Sequence, residues 1–544
     1  MGIPSDNLVH VKSRALSEET PLLRETSPSE CEEDIVGPEP SSAELFLVIS
    51  SVYFGIFLGA LDGTIIATLS ASISTHFSSL TLLSWLVSAY LIANAASQPL
   101  LGRLTDIFTR QKGLIACNIL FAIGNLVSGL ATSEGMMIFG RVIAGLGGGG
   151  LMAIPNFIAS DLVPLRKRGL IHGISNICFS TGAGLGSFLG GWINDVWGWR
   201  WAFLIQVPLT MISCIMVYLT VKIPAKKSSL SALARVDFLG AATLIVSIVL
   251  LLFGLNSAGN ILPWNHPFIP ISIALSLIIL MVFIYVEIYI ASEPIIPIKL
   301  LAIRTVASAC LTTWFSTMVM YMVLFYLPIF FQVKGLSATS SGIRIMPQFF
   351  GSTFTSVGCG IIINATGQYK RLLVIILSLF FVTTGFLTTL SLDGNEWFIY
   401  IYEFILGATF SSLLTITLIA TISAVSHDHR AVVTSAVYAF RSTGATIGVT
   451  IGSAVYQNVL LSGLHERFDG IPGSATEIEK IRNSLDEMFN LPPGWDVGVK
   501  AAFDVALRSV FRVAFLCAIL AIVTGLFIRQ HVLHARLVRH DVNE

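Results

Sequence analysis

The stretch from Arg141 to Gly191 recurs, without a gap, 262 residues further along the chain. Val163 aligns with Val425 and Arg168 with Arg430, and Ser180-Thr181-Gly182-Ala183 aligns with Ser442-Thr443-Gly444-Ala445. Gly186 and Gly190 then fall on Gly448 and Gly452, Gly145 on Gly407, and Arg141 on Glu403. A repeat of such long period is a fold-level signal. Both copies are apolar, with small residues at every fourth position, the spacing that lets two helix backbones approach closely in lipid. The pattern predicts a transporter built from two repeated halves with its pathway between them.

Composition supports the membrane reading. Residues are 54% hydrophobic and only 12% charged, against about 25% charged in a soluble domain. Mean hydropathy is +0.79. The net charge is zero and no basic patch suggests a nucleic-acid partner. The seven cysteines are scattered without CxxC spacing, so they read as small apolar residues rather than metal ligands. No metal-ligand cluster and no nucleophile–base set appears. "GLGGGG" (145–150) lacks the Lys-Ser/Thr of a nucleotide loop, so neither an enzyme nor a nucleotide-driven pump is expected, and no cofactor.

Residues 1–44 hold ten acidic and three basic residues with five prolines, a composition that cannot bury a core. They are expected to form a disordered cytosolic tail. From residue 45 onward come fourteen apolar spans of a length suited to a bilayer. The domain reading is a six-helix half over 45–221, an inserted helix pair with flanking loops over 222–304, and a second six-helix half over 305–530. That second half contains a long loop at 462–507, and residues 531–544 form a C-terminal tail. Short loops after even-numbered spans carry fifteen basic residues, those after odd-numbered spans only Arg200 and Lys334. Basic residues favour the cytosol, so both termini are expected there.

Between spans 2 and 3 stands "GRLTDIFTRQK" (102–112). It resembles the loop signature of the major facilitator superfamily, Gly-x-Leu-x-Asp-Arg-x-Gly-Arg-Lys/Arg-Lys/Arg. Gly102, Leu104, Asp106, Arg110 and Lys112 match, while Ile107 and Thr109 depart from it. A Gly permits a tight helix exit, and Arg103, Asp106, Arg110 and Lys112 can form ion pairs that break as the halves rock. A degenerate partner, "GIIINATGQYK", starts at Gly360. "LDGTII" (61–66), "RVIAGLGGGG" (141–150) and "GAGLGSFLGG" (182–191) complete a likeness to the fourteen-span drug:proton antiporter group. Gly182, Gly186, Gly190 and Gly191 keep that group's glycine motif, with Ser187 where a proline is usual. The implied fold is an all-α major facilitator bundle of fourteen transmembrane helices, two six-helix halves plus an inserted pair.

Within the group, the acidic tail and "WRWAFLIQVP" (199–208) look most like fungal vacuolar amino acid transporters. "EETPLLRE" places Glu18 before Leu22 and Leu23, which resembles the acidic di-leucine signal read by sorting adaptor complexes. The resemblance therefore implies a multi-pass vacuolar membrane protein that exchanges cytosolic amino acids, basic ones included, for lumenal protons. A plasma-membrane drug exporter is the alternative, and a non-transporting sensor a more distant one.

Ionisable residues inside a span mark functional positions by default. Asp62, Arg141 and Glu403 stand out, at similar depth on the first and fourth helices of the halves, which line the central cavity in this fold. Each has a structural alternative: a hydrogen bond for Asp62, a fixed ion pair for Arg141, interfacial exposure for Glu403. If Arg141 pairs with Asp62, Glu403 is the better proton carrier and Asp62 the better ligand for a substrate ammonium. Arg441 stands where the first repeat has Phe179, and either pairing or transport would account for it.

Overall fold

The computed structural model describes residues 41–77, 80–162, 165–221, 237–258, 262, 265–291, 298–391, 397–425, 430–469, 471, 473–483 and 491–531. Glu18, Leu22 and Leu23 lie outside the described residues. A helix covers each of the fourteen apolar runs. In the first half these are α1 (Ser42–Phe77), α2 (Leu80–Phe108), α3 (Arg110–Gly129), α4 (Glu134–Leu162), α5 (Leu165–Trp197), α6 (Trp199–Leu204) and α7 (Gln206–Thr220). The run expected at 202–221 is divided at Ile205, whose backbone remains helical (φ −64°, ψ −28°). Pro208 has no N–H to offer the carbonyl of Leu204, which leaves the ladder interrupted there. Next come α8 (Phe238–Ser257), α9 (Phe268–Tyr289) and the short α10 (Ile298–Leu301). The second half contains α11 (Arg304–Val333), α12 (Ala338–Thr366), α13 (Lys370–Leu387), α14 (Trp397–Ser423), α15 (Arg430–Phe468), α16 (Ser474–Asn483) and α17 (Asp496–Leu526).

Ten helices among the described residues are long and apolar enough to cross a membrane. α2, α5 and α12, with 29, 33 and 29 residues, are as long but more polar, and α8 contributes a shorter apolar stretch, Leu239–Leu255. The architecture is thus an all-α membrane bundle, and by apolarity alone its count is ten rather than fourteen.

The segment expected as a loop at 462–507 is largely helical. α15 continues to Phe468, α16 follows, and α17 begins at Asp496. Val499, Ala502, Phe503, Ala506, Leu507 and Val510 recur at helical spacing and are buried. Phe468 stacks on Trp495 with ring centroids 3.9 Å apart. Asp504 pairs with Arg508 one turn along α17 at 2.8 Å, both half-buried.

Glycine packing repeats between the halves. A Cβ on Gly182, Gly186 or Gly190 of α5 would run into the backbone or hydroxyls of Phe57, Leu61, Thr64 and Thr68 on α1. Gly444 and Gly448 of α15 meet Trp314 and Met318 of α11 in the same way. Removing the side chain is what lets each pair of backbones touch. Gly191 faces the other direction, against Ala338 and Thr339 of α12. Ser187 is buried, and its hydroxyl donates to the Ala183 carbonyl at 3.1 Å.

The halves meet along α5 against α12 and along α2 against α15. Asn176 donates to Ser356 Oγ at 2.9 Å in the first contact, and Ser88 and Thr450 share a hydrogen bond of 3.3 Å in the second. α8 and α9 form a hairpin sewn by Ser247 and Ser276, each hydroxyl donating to the other's carbonyl at 3.0 and 2.8 Å. α8 leans on α2 and α15, with Phe253 5.1 Å from Trp85. The helix ends that carry Arg110, Lys112, Arg304 and Lys370 make up one basic face. There Gln530 accepts from the backbone of Tyr369 and Lys370 at 3.1 and 2.9 Å, which ties the end of the chain down.

Candidate substrate and proton pathway

α1 and α4 bring Asp62 and Arg141 together in the interior of the first half. Arg141 Nη1 donates to both carboxylate oxygens of Asp62 at 3.0 Å, and neither side chain is more than 1% exposed. Gln206 of α7 adds a longer contact to Asp62 Oδ1, 3.4 Å, while donating to the Ala202 carbonyl at 2.9 Å. The guanidinium lies over the ring of Tyr90 on α2 at 4.3 Å and near Phe203 at 5.9 Å. Placing a lone Arg or Asp at a helix centre costs about 2.5–3.5 kcal/mol. Here the two charges cancel in a dry, aromatic cage. Asp62 is therefore committed to Arg141 and Gln206 in this conformation.

Glu403 of α14 is also fully buried, so it is not an interfacial carboxylate. Both of its carboxyl oxygens lack a hydrogen-bond partner among the described residues. The structure thus brings Asp62 and Arg141 together and leaves Glu403 apart. The repeat accounts for this. Arg141 and Glu403 occupy equivalent positions, and Gly145 meets the Tyr90 backbone as Gly407 meets the Gln348 backbone. On the first helices, Gly186 meets Leu61 and Gly448 meets Met318. Asp62 follows Leu61; Val319 follows Met318. The second half therefore carries an acid at the position of the base and a valine at the position of the acid.

Arg441 of α15 is half-buried and lies over Phe179 of α5, 5.2 Å from the ring centroid. The two residues that the repeat aligns are thus in direct contact across the two halves. Tyr321 and Tyr438 are within electrostatic range of the guanidinium, and no carboxylate pairs with it among the described residues. Asn176, Leu414, Leu418, Val437 and Tyr438 line a void of about 20 Å³ beside it, roughly the room of one water. An apolar cleft of about 460 Å³ opens between α1 and α5 toward the basic face, with Ser50, Tyr53 and Cys178 in its wall.

In the loop between α2 and α3, Gly102, Arg103 and Asp106 fall in the last turns of α2, and their surroundings lie outside the described residues. The helix does not leave at Gly102. It runs to Phe108, and the exit is Thr109, whose φ is +147°. Thr109 accepts from the Lys112 backbone N–H at 3.2 Å and so caps α3. Arg110 donates to Thr105 Oγ1 at 2.8 Å and lies 5.2 Å from the Phe157 ring, pinning the loop to α4.

Most of the other intramembrane amides bond within their own helix, as Asn118 does to the Leu114 carbonyl and Asn156 to Met152. Tyr90 completes the ion-pair cage without a charge or motif to flag it; Gln206, which also completes it, lies within "WRWAFLIQVP" and is one of the intramembrane amides that could line a polar path.

The Major Facilitator Superfamily model matches residues 52–449. The chain is 34% identical over 509 residues to "Multidrug resistance protein fnx1" of Schizosaccharomyces pombe, across 92% of this chain and 96% of that protein. It is 34% identical over 434 residues to "Vacuolar membrane amino acid uptake transporter fnx2" of the same yeast, across 79% of this chain and 75% of that one. Among solved structures, a bacterial homologue of the human lysosomal transporter Spinster superposes with a TM-score of 0.62 at 15% identity, over 90% of this chain and 98% of that one. The repeat, the bundle and these likenesses together establish that the chain belongs to the Major Facilitator Superfamily of membrane transporters.

Proposed function

We propose that this protein is a proton-coupled antiporter that moves amino acids, basic ones included, from the cytosol into the vacuole by alternating access. The observation that carries the reading is Glu403: a buried acid with no hydrogen-bond partner among the described residues, at the position where the other half holds a paired base. Closing a bundle over an ionised, unpaired carboxylate costs several kcal/mol, whereas closing it over the protonated acid does not. A transporter with such a group changes conformation together with a proton. Asp62 and Arg141 hold α1 to α4, so that the first half rocks as a unit while Glu403 loads and unloads in the second.

α2, α5, α8 and α12 join the ten apolar helices to make fourteen crossings, with the basic face in the cytosol. The name of the S. pombe vacuolar relative supports the amino acid cargo and the compartment. The di-leucine segment at Glu18, Leu22 and Leu23 supports delivery by a sorting adaptor. A second reading, export of drugs across the plasma membrane, is favoured by the name of the other yeast relative.

Uptake of a labelled amino acid panel into vacuolar vesicles, with and without an uncoupler, tests the proposal. Accumulation should collapse with the uncoupler, and Glu403→Gln should abolish it while substrate binding persists. A Glu403→Gln protein that still concentrates substrate against an imposed pH gradient sinks the coupling role. Drug transport without amino acid transport favours the second reading.

A further inference from the structure

The second half holds one more charge that its architecture does not explain. At the position of Arg441 the first half has Phe179, and α5 packs on α1 there as closely as α15 packs on α11. The fold therefore does not need a cation at this place. Arg441 has a ring against one side and two tyrosines nearby, but no counter-anion among the described residues. It is only half-buried, and it borders the water-sized void shared with Asn176 and Tyr438. The void adjoins the seam between the halves, which alternating access must open and close.

We propose that Arg441 is the docking point for the carboxylate of the transported molecule, and that the protein selects solutes with an α-carboxylate over the corresponding amines. This rests on the amino acid reading above and names its recognition residue. A guanidinium matches a carboxylate with two parallel N–H···O bonds, which a lone ammonium cannot do. Phe179 covers the guanidinium while the seam is closed. When the halves part, the cation is uncovered to a solute entering between them. Asn176, whose amide donates to Ser356, and Tyr438 stand beside it. Ligand and Phe179 compete for one face of the cation, so closure behind a bound carboxylate differs from closure over an empty site.

Counterflow in proteoliposomes of the full-length protein tests this with matched pairs: histidine against histamine, and arginine against agmatine. Wild type should prefer the amino acid of each pair by tenfold or more. Arg441→Gln should lose that preference, with amino acid transport falling to the level of the amine. Arg441→Lys, which keeps the charge without the fork, should retain part of it. Arg441→Phe installs the side chain that the first repeat already accommodates, and its melting temperature in detergent shows whether a loss of transport is a loss of fold. In the same assay, histidine but not histamine should raise the melting temperature of wild type, and neither should raise that of Arg441→Phe. An Arg441→Gln protein that keeps the wild-type preference overturns the assignment while leaving amino acid transport standing. A wild type that carries the amines but neither amino acid overturns the cargo reading and this inference with it.

Discussion

In the first half of the bundle an acid on α1 and a base on α4 neutralise each other at 3.0 Å. In the second half the equivalent positions hold Val319 and Glu403, and the acid is alone. The backbones of the halves are packed by the same glycines at the same places, yet their charges are not repeated. Among the described residues, Glu403 within α14 has no hydrogen-bond partner and Arg441 at the seam has no counter-ion. The two copies thus share one scaffold and differ in the ionisable groups they place in it.

The strongest way to break this comparison is to remove one charge from each half and measure unfolding in detergent micelles. Arg141→Met leaves Asp62 buried and uncompensated, which should cost about 3–5 kcal/mol. Adding Asp62→Leu to the same chain should restore most of that loss, since an apolar pair can replace a buried ion pair. Glu403→Gln removes no partner and should shift stability by less than about 1 kcal/mol. Equal losses for Arg141→Met and Glu403→Gln would mean that Glu403 is paired after all.

The comparison sharpens if the missing charge is supplied. Val319→Lys places a cation on α11 where α1 has Asp62, opposite Glu403. The substitution should be tolerated with Glu403 present, and should be less stable by about 3 kcal/mol when combined with Glu403→Gln. It should also arrest proton-driven uptake, since a paired acid no longer loads and unloads. Additive stability effects of the two changes would refute the equivalence of Val319 and Asp62.

Much of this was legible before any coordinates. The 262-residue offset put Arg141 opposite Glu403 and Phe179 opposite Arg441, and membrane charges are too costly to be incidental. The pairing of Asp62 with Arg141 was one of two readings, because helix periodicity gives a face but not which neighbour fills it. Tyr90 is invisible for the same reason. The helical extension through 496–507 is hidden because its charges read as loop, although Val499, Phe503 and Val510 keep a helical repeat among them. The exit from α2 was placed at Gly102 by glycine's reputation, but the chain turns at Thr109.

A smaller effect tests whether the scaffold itself is symmetric. A Cβ on Gly186 would lie 2.9 Å from the Leu61 Cα, and one on Gly448 would lie 2.7 Å from the Met318 Cα. Gly186→Ala and Gly448→Ala should therefore destabilise alike, by about 1–3 kcal/mol each. Gly63→Ala, with nothing within 4 Å, should be neutral in the same unfolding assay. A large disparity between Gly186 and Gly448 would show that the halves differ in packing as well as in charge.

The smallest effect lies in the two loops on the basic face. Thr109 is the eighth residue of the motif that starts at Gly102, and Gly367 is the eighth of the partner that starts at Gly360. Both have positive φ in different conformations, Thr109 at φ +147°, ψ +148° before α3 and Gly367 in the left-handed region at φ +66°, ψ +7° after α12. The family signature has a glycine at this position, and the second loop keeps it; the first carries a β-branched residue in a region such side chains avoid. Thr109 recovers part of the strain through its cap on the Lys112 N–H, 3.2 Å away, and an N-cap hydroxyl is worth about 1 kcal/mol. Backbone strain of this kind costs about 1–3 kcal/mol. Thr109→Gly should therefore stabilise by about 1 kcal/mol at most, while Thr109→Val, which keeps the strain and loses the cap, should destabilise by about 1 kcal/mol. Gly367→Val puts a β-branched residue in the left-handed region without a cap in compensation, and should lose about 1–2 kcal/mol. If Thr109→Gly instead lowers stability by more than Thr109→Val does, the positive φ at Thr109 is not a strained feature.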